Sequence, residues 1–490
     1  MDQYSSISHR RTCARRGLLA RASSGGEATA RAGRTCARRG LLAGAFGALL
    51  LLVCAAQLAA APPRPLAGPP SSSSSSPSVA PATGVWRAWL DSPGGELPFG
   101  LELQPAAPGS ASSLRAFLLN PPERIPIARV GFAAGELVLH LDPYASTLRA
   151  RLGAAGQALD GTWRKQKGAD SFVELPFHAR FGAARRFTAP AAGGAPRPTS
   201  SAPLPPRWRV KFASDPDAAV GLFTEQSPDL LTGTFLTSTG DYRYLAGNRD
   251  GDRLRLSCFD GAHAFLFEAR VLPGEPPRTT AVRLAGDFYS GDRWHDTWTG
   301  EPDDKAELVD PFAQSHVNPQ AELGALRFPD LQGRSRALND PALAGKARIL
   351  EVFGTWCPNC NDATAYLVEL DRKYRARGLA IVGLAFEVTG ELAQDSAQVQ
   401  RFAAFHHVEF PLLIAGLADK EKASRSLPLL DRVRAYPTTI FLHRDGRVRA
   451  VHSGFAGPAT GAANVELRRH FEELIEELLA EPAAPPASRR

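Results

Sequence analysis

Cys357 and Cys360, in the run Trp356-Cys357-Pro358-Asn359-Cys360, are the residues of this chain whose types and spacing lend themselves to chemistry. They follow an apolar segment, Arg348 to Phe353, and open one in which Ala363, Leu367, Leu370 and Tyr374 recur at three-to-four spacing. That pattern predicts a strand running into a helix, with the pair at the junction. At a helix N-terminus, unpaired backbone N–H groups and the helix dipole favour an anion, and a thiol pKa there falls from about 8.5 to about 3.5–7.5. Cys357 is therefore expected to be the nucleophile, and the more exposed and more acidic of the two. Cys360, one turn further and more buried, is placed to resolve a mixed disulfide formed on Cys357. Pro358 suits the first helical turn, where its missing N–H costs nothing. The chemistry is thiol–disulfide exchange and needs no cofactor. Zinc would want two further ligands at matching spacing; there is no second Cys pair and no companion His spacing, so no metal is expected.

The other cysteines do not compete. Cys13, Cys36 and Cys54 lie in the N-terminal leader, and Cys258 stands alone, where it reads as a small buried apolar residue. Around the pair the pattern alternates strand and helix. Leu379 to Phe386 is a buried strand, Gln398 to His406 a helix and Phe410 to Ile414 a strand. Thr438 to His443 and Arg447 to Ser453 form a hairpin about Asp445-Gly446, and Glu466 to Leu479 is an amphipathic helix. The order β-α-β-α-β-β-α is that of the thioredoxin fold.

A chain of 490 residues should fold as two or three units. Its formal charge of +7 is no footprint of nucleic-acid binding. Residues 1–40 carry nine Arg and two acids, and the other 450 residues hold 48 basic and 48 acidic groups. Behind Arg38-Arg39 the apolar run Gly40 to Ala61 reads as a signal peptide or a transmembrane anchor, which makes residues 1–61 a leader. The string RTCARRGLLA occurs twice in it, at 11–20 and 34–43. Residues 62–83 are a Pro/Ser linker, 188–206 a second Pro-rich linker and 483–490 a disordered tail.

The two intervening segments, 84–187 and 207–310, show short alternating runs between turn residues and read as all-β units, barrel or sandwich. They share an order: Trp86-Arg87 and Trp208-Arg209, then Gly100-Leu101 and Gly221-Leu222, then Gly161-Thr162-Trp163 and Gly286-Asp287-Phe288. The expected fold class is thus multidomain, with a C-terminal α/β thioredoxin fold at 320–482 preceded by an all-β region of two similar units. In the second unit Tyr242 to Ala246 is expected as a strand. The dense run Ser257 to Phe265 reads either as a turn at Asp260-Gly261 joining core strands or as a ligand or partner site. Trp294, His295 and Trp298 read as barrel packing.

The runs FPDLQGRSRALND from Phe328 and ILEVFGTWCPNC to Cys360, with Ala435-Tyr436-Pro437-Thr438-Thr439-Ile440-Phe441 and Asp445-Gly446, resemble the TlpA/ResA-like branch of thioredoxin-fold proteins. The resemblance implies a periplasmic or membrane-anchored reductase of protein disulfides in the cell envelope, fed by an upstream membrane electron donor. It also implies a cis bond before Pro437, substrate contacts from Trp356, Tyr436, Pro437 and Thr438, and proton transfer assisted by Glu387. A solvated strand-end role for Glu387, and a core-covering one for Trp356, remain open beside these. The rival readings are a thiol peroxidase, a copper chaperone, for which the Cys spacing is one residue short, and a β-domain scaffold that carries a redox module.

Overall fold

The computed structural model describes residues 80–110, 112–182, 185–188, 203–274 and 282–482. The leader, most of both linkers and the tail lie outside the described residues. No helix among the described residues is long and apolar enough to cross a membrane.

Each β unit is a nine-stranded antiparallel meander whose first strand pairs with both its second and its last. In the first unit Gly84–Ser92 lies between Gly95–Pro105 and Phe172–Phe181, and the sheet ends at Glu123–Pro126 on one side and Arg129–Ala133 on the other. Those two edges do not pair, so this unit is an open half-barrel. In the second unit Arg207–Phe212 lies between Ala218–Ser227 and Trp294–Pro302, and pairing of Ala218–Ser227 with Leu230–Thr237 closes the ring. Strict alternation drives both. Phe172–Phe181, for example, buries Val173, Leu175, Phe177 and Ala179 on one face and leaves the intervening residues to solvent.

The closed barrel is filled by rings rather than hollow. Phe267 stacks on Phe288 with centroids 4.3 Å apart, and Phe235 meets Phe267 at 4.6 Å and Trp298 at 5.1 Å. Cys258 and Trp298 belong to this core, whereas His295 is exposed and pairs with Asp287. The two units also repeat an anchoring device. The indole N–H of Trp86 donates to Ala82 O (3.0 Å) and that of Trp208 to Pro205 O (2.6 Å), each tying a fully buried tryptophan to the chain just before its strand.

The open side of the half-barrel is plugged by the barrel strands Arg253–Phe259 and Ala264–Leu272. Phe259, Ala264 and Leu266 complete the first unit's core, with Phe259 against Phe99 (4.5 Å) and Trp163 (5.3 Å). Ser257 Oγ donates to Pro98 O (2.5 Å), and the Asn120 amide donates to Phe259 O (2.9 Å). The run Ser257 to Phe265 is thus a turn between core strands and also the joint between the units.

The C-terminal region has the β-α-β-α-β-β-α order, with an additional short helix. Its five-stranded sheet runs Leu412–Leu417, Leu379–Glu387, Ala347–Phe353, Thr438–Leu442, Val448–Ser453. The first three strands are parallel and the hairpin antiparallel. Helices α1 (Pro358–Tyr374), α2 (Leu392–His406), α3 (Lys420–Ser426) and α4 (Ala462–Ala480) accompany it. α3 has seven residues and one buried side chain, Ala423, too little periodicity to be read in sequence. One expected strand is corrected. Tyr242 to Ala246 is interrupted, with strands at Gly240–Asp241 and Leu245–Asp250. Between them Arg243 adopts φ +62°, and its N–H is bound by Asp241 Oδ1 at 2.7 Å, a local turn that outcompetes the ladder.

Candidate active site

The apolar strand Ala347–Phe353 ends in Gly354-Thr355-Trp356, and Cys357 caps α1. Its backbone is extended, and its sulfur accepts the N–H of Cys360 at 3.3 Å. The same thiol donates to Tyr436 O at 3.4 Å. Tyr436-Pro437 is a cis bond, and Thr438 begins the adjoining strand, its hydroxyl donating to Ala435 O (2.9 Å). Both cysteines are free thiols. Burial pushes the Cys360 thiol well above its ordinary range, and its hydrogen bond to Cys357 adds to the shift.

Cys357 is the more exposed thiol, as expected, but only by a narrow margin, and both are buried. Cys357 is 2% exposed and Cys360 0%. A helix start does project Cys357 outward from its own domain, but here the β units lie over that face. Trp356 is also buried; its indole N–H donates to Phe386 O (2.9 Å) and its ring meets Tyr436 edge-on at 5.3 Å.

Glu387 is not a solvated strand end. Its carboxylate is 1% exposed and accepts the N–H (2.9 Å) and the hydroxyl (2.7 Å) of Thr355, two residues before Cys357. Burial raises it to about 8 against these two bonds. Its bonds thus run to the segment that carries Cys357. A second buried carboxyl, Glu351, was missed in the sequence. It lies six residues before Cys357 on the central strand, accepts the Thr439 hydroxyl (2.7 Å), and is raised to about 8 by burial. Its charge is felt at Cys360. The available signal was one acid inside the otherwise apolar run Ile349 to Phe353. Asn361 was missed too: its amide donates to Cys357 O (3.1 Å), and its carbonyl oxygen is 2.7 Å from His406 Nε2. No cluster of potential metal ligands occurs among the described residues.

Fold and dithiol together define a class, and comparison with known proteins agrees: the Redoxin family matches residues 319–465, so the C-terminal third of the chain is a redoxin domain on the thioredoxin fold. Within that class it is similar to proteins named thiol-disulfide oxidoreductase ResA. Thiol-disulfide oxidoreductase ResA of Halalkalibacterium halodurans is 28% identical over 149 residues, 30% of this chain and 71% of that protein. ResA of Bacillus cereus is 31% identical over 119 residues, 24% of this chain; the match spans 60% of that relative's length. Among solved structures, a secreted Mycobacterium tuberculosis disulfide oxidoreductase aligns with 30% of this chain and 95% of its own, at 19% identity and TM-score 0.23. A thioredoxin family thiol:disulfide interchange protein from Chlorobium tepidum TLS aligns with 36% and 100%, at 19% identity and TM-score 0.24.

Proposed function

We infer that the chain is a thiol-disulfide oxidoreductase that reduces protein disulfides outside the cytoplasm through Cys357 and Cys360. The observation that carries this is the position of the Cys357 sulfur: it accepts a helix-terminal N–H from its own partner cysteine and faces the carbonyl before Pro437. Negative charge on that sulfur is stabilised by the N–H and by the N-terminal dipole of α1.

In the reaction the Cys357 thiolate attacks one sulfur of the substrate disulfide. The Cys357–substrate S–S bond forms as the substrate's own S–S bond breaks, and the departing sulfur takes up a proton. Cys360, having lost its proton, then attacks Cys357 Sγ. The second substrate thiol leaves, and a Cys357–Cys360 disulfide remains. Two electrons have passed to the substrate, and an external dithiol donor must return them. With its raised pKa Cys360 holds its proton until the mixed disulfide forms, which keeps the two steps in order. Burial raises the carboxyl of Glu351, and its ionised form would add to the shift at Cys360, so a protonated Glu351 favours loss of the Cys360 proton. Export follows the apolar run at 40–61 behind Arg38-Arg39, and the partners are envelope proteins with cysteine pairs and a membrane-side electron donor.

The test is reduction of a protein disulfide such as insulin's, with a dithiol reductant supplied. Wild type should turn over, while Cys357→Ser and Cys360→Ser should each lose at least about a hundredfold in rate. Retention of wild-type turnover by Cys357→Ser would overturn the assignment.

A further inference from the structure

The β units meet the redoxin domain around its dithiol. Arg243, in the turn between Gly240–Asp241 and Leu245–Asp250, reaches both neighbours at once. It donates to Glu123 Oε1 of the first unit (2.6 Å), to the Asp362 carboxylate near the start of α1, and to Pro358 O (3.5 Å). Lys165 of the first unit donates to Trp356 O and to Ala262 O, each at 3.2 Å. Asp241 Oδ2 accepts the N–H of Gly457 (2.5 Å). A Cβ on Gly240 would fall 1.8 Å from the Asn359 amide nitrogen, and one on Gly454 3.0 Å from Thr239 backbone. The turn Thr239 to Arg243 therefore lies directly on Pro358-Asn359 and on the loop after Val448–Ser453. Further out, the Gln398 amide of α2 donates to Asp142 O and Pro143 O, both at 2.9 Å.

We propose that the two β units form a closed cap over the dithiol, latched by Arg243, and that a protein disulfide reaches Cys357 only after this cap opens. The inference rests on the reading of Cys357 and Cys360 as the redox pair. Attack on a disulfide brings the two sulfurs to bonding distance in line, and a protein substrate needs open surface around the nucleophile to approach. A cysteine 2% exposed beneath a turn of its own chain offers none.

The contact has the character of a latch rather than of a core. It is built from ion pairs and single hydrogen bonds, and Glu123 Oε2, Arg243 Nε and Asn359 Oδ1 are buried in it without a hydrogen-bond partner. Arg243 holds a left-handed backbone, a conformation retained where surrounding contacts enforce it. Beside the turn lies a cleft of about 320 Å³, lined by Leu236, Leu308, Phe312, Phe455 and Leu467.

The test is the rate at which iodoacetamide alkylates Cys357 in the reduced full-length chain, read by peptide mapping against the urea-unfolded chain. Wild type should react at least a hundredfold more slowly than the unfolded thiol, and Arg243→Ala at least tenfold faster than wild type. Arg243→Lys, which keeps the charge, should fall between them. Where Arg243→Ala does not fold, Lys165→Met and Gln398→Ala take its place, each expected to accelerate labelling severalfold. Wild-type labelling as fast as that of the unfolded chain, or no acceleration in any folded variant, overturns the cap. Because labelling does not depend on turnover, a variant that opens yet reduces nothing contradicts the proposed function and leaves the cap standing.

Discussion

Two buried glutamates flank the dithiol and do different work. Glu387 fastens the segment that carries Cys357 through Thr355, whereas Glu351 sits beneath the pair with one hydroxyl partner and acts on Cys360 through charge. Both carboxyls stand at about 8, far above the ordinary 4.5. A raised carboxyl pKa means that the folded state disfavours the ionised form. The stability it confers is complete below about 4.5 and is lost as pH rises toward 8. At about 1.4 kcal/mol per pKa unit, each glutamate costs the domain a few kcal/mol by pH 9. The unfolding midpoint should therefore fall between pH 6 and pH 9, and Glu351→Gln, which keeps the bond to Thr439, should flatten that fall. An unchanged slope in thermal melts of Glu351→Gln would show that Glu351 does not titrate in this range.

At the scale of elements, the paired Gly-x-aromatic strands explain themselves by close approach. A Cβ on Gly286 would lie 1.9 Å from Glu268 O, and one on Gly161 2.0 Å from Arg149 O, so each glycine lets its strand cross a neighbour while Phe288 or Trp163 fills the core. Gly286→Ala should destabilise the barrel by roughly 2 kcal/mol or more. Gly300→Ala, whose Cβ would meet nothing nearer than 3.5 Å, should be close to neutral. Equal melting temperatures for the two variants would contradict this. Much of this architecture was legible in the sequence, because alternation and three-to-four spacing report burial directly. Gln398 to His406 was the strongly periodic part of α2, and Trp86 and Trp208 marked the start of each meander. What the sequence could not show is partnership. Arg243 meets Glu123 across 120 residues and Asp362 across 119, and no local pattern marks a long-range ion pair. The burial of Cys357 was illegible for the same reason, since the residues that cover it belong to other units.

In the whole molecule the β region is both joint and cover, and the groups around Arg243 make its closure sensitive to pH. They are Glu123 and Lys165 from the first unit, Asp241, Asp260 and His263 from the second, and Asp362 from α1. Burial raises Glu123 to about 7 and Asp241 to about 6, and also raises Asp362, whereas Asp260 is held below the usual range and His263 is lowered to about 4. Between pH 5.5 and 8 the titrating groups are thus carboxyls whose ionised forms closure disfavours, so closure should weaken as pH rises through about 7. Cys357 alkylation, normalised to the unfolded chain at each pH, should speed up severalfold over this range; a flat ratio would contradict the electrostatic latch. The chemistry beneath the cap is tested most directly by intact mass spectrometry of full-length Cys360→Ser incubated with a disulfide-bonded peptide at neutral pH. The expected result is a one-to-one adduct on Cys357, stable until reductant is added, with none formed by Cys357→Ser. An adduct on Cys360, or no adduct in either variant while wild type consumes peroxide, would contradict disulfide exchange led by Cys357.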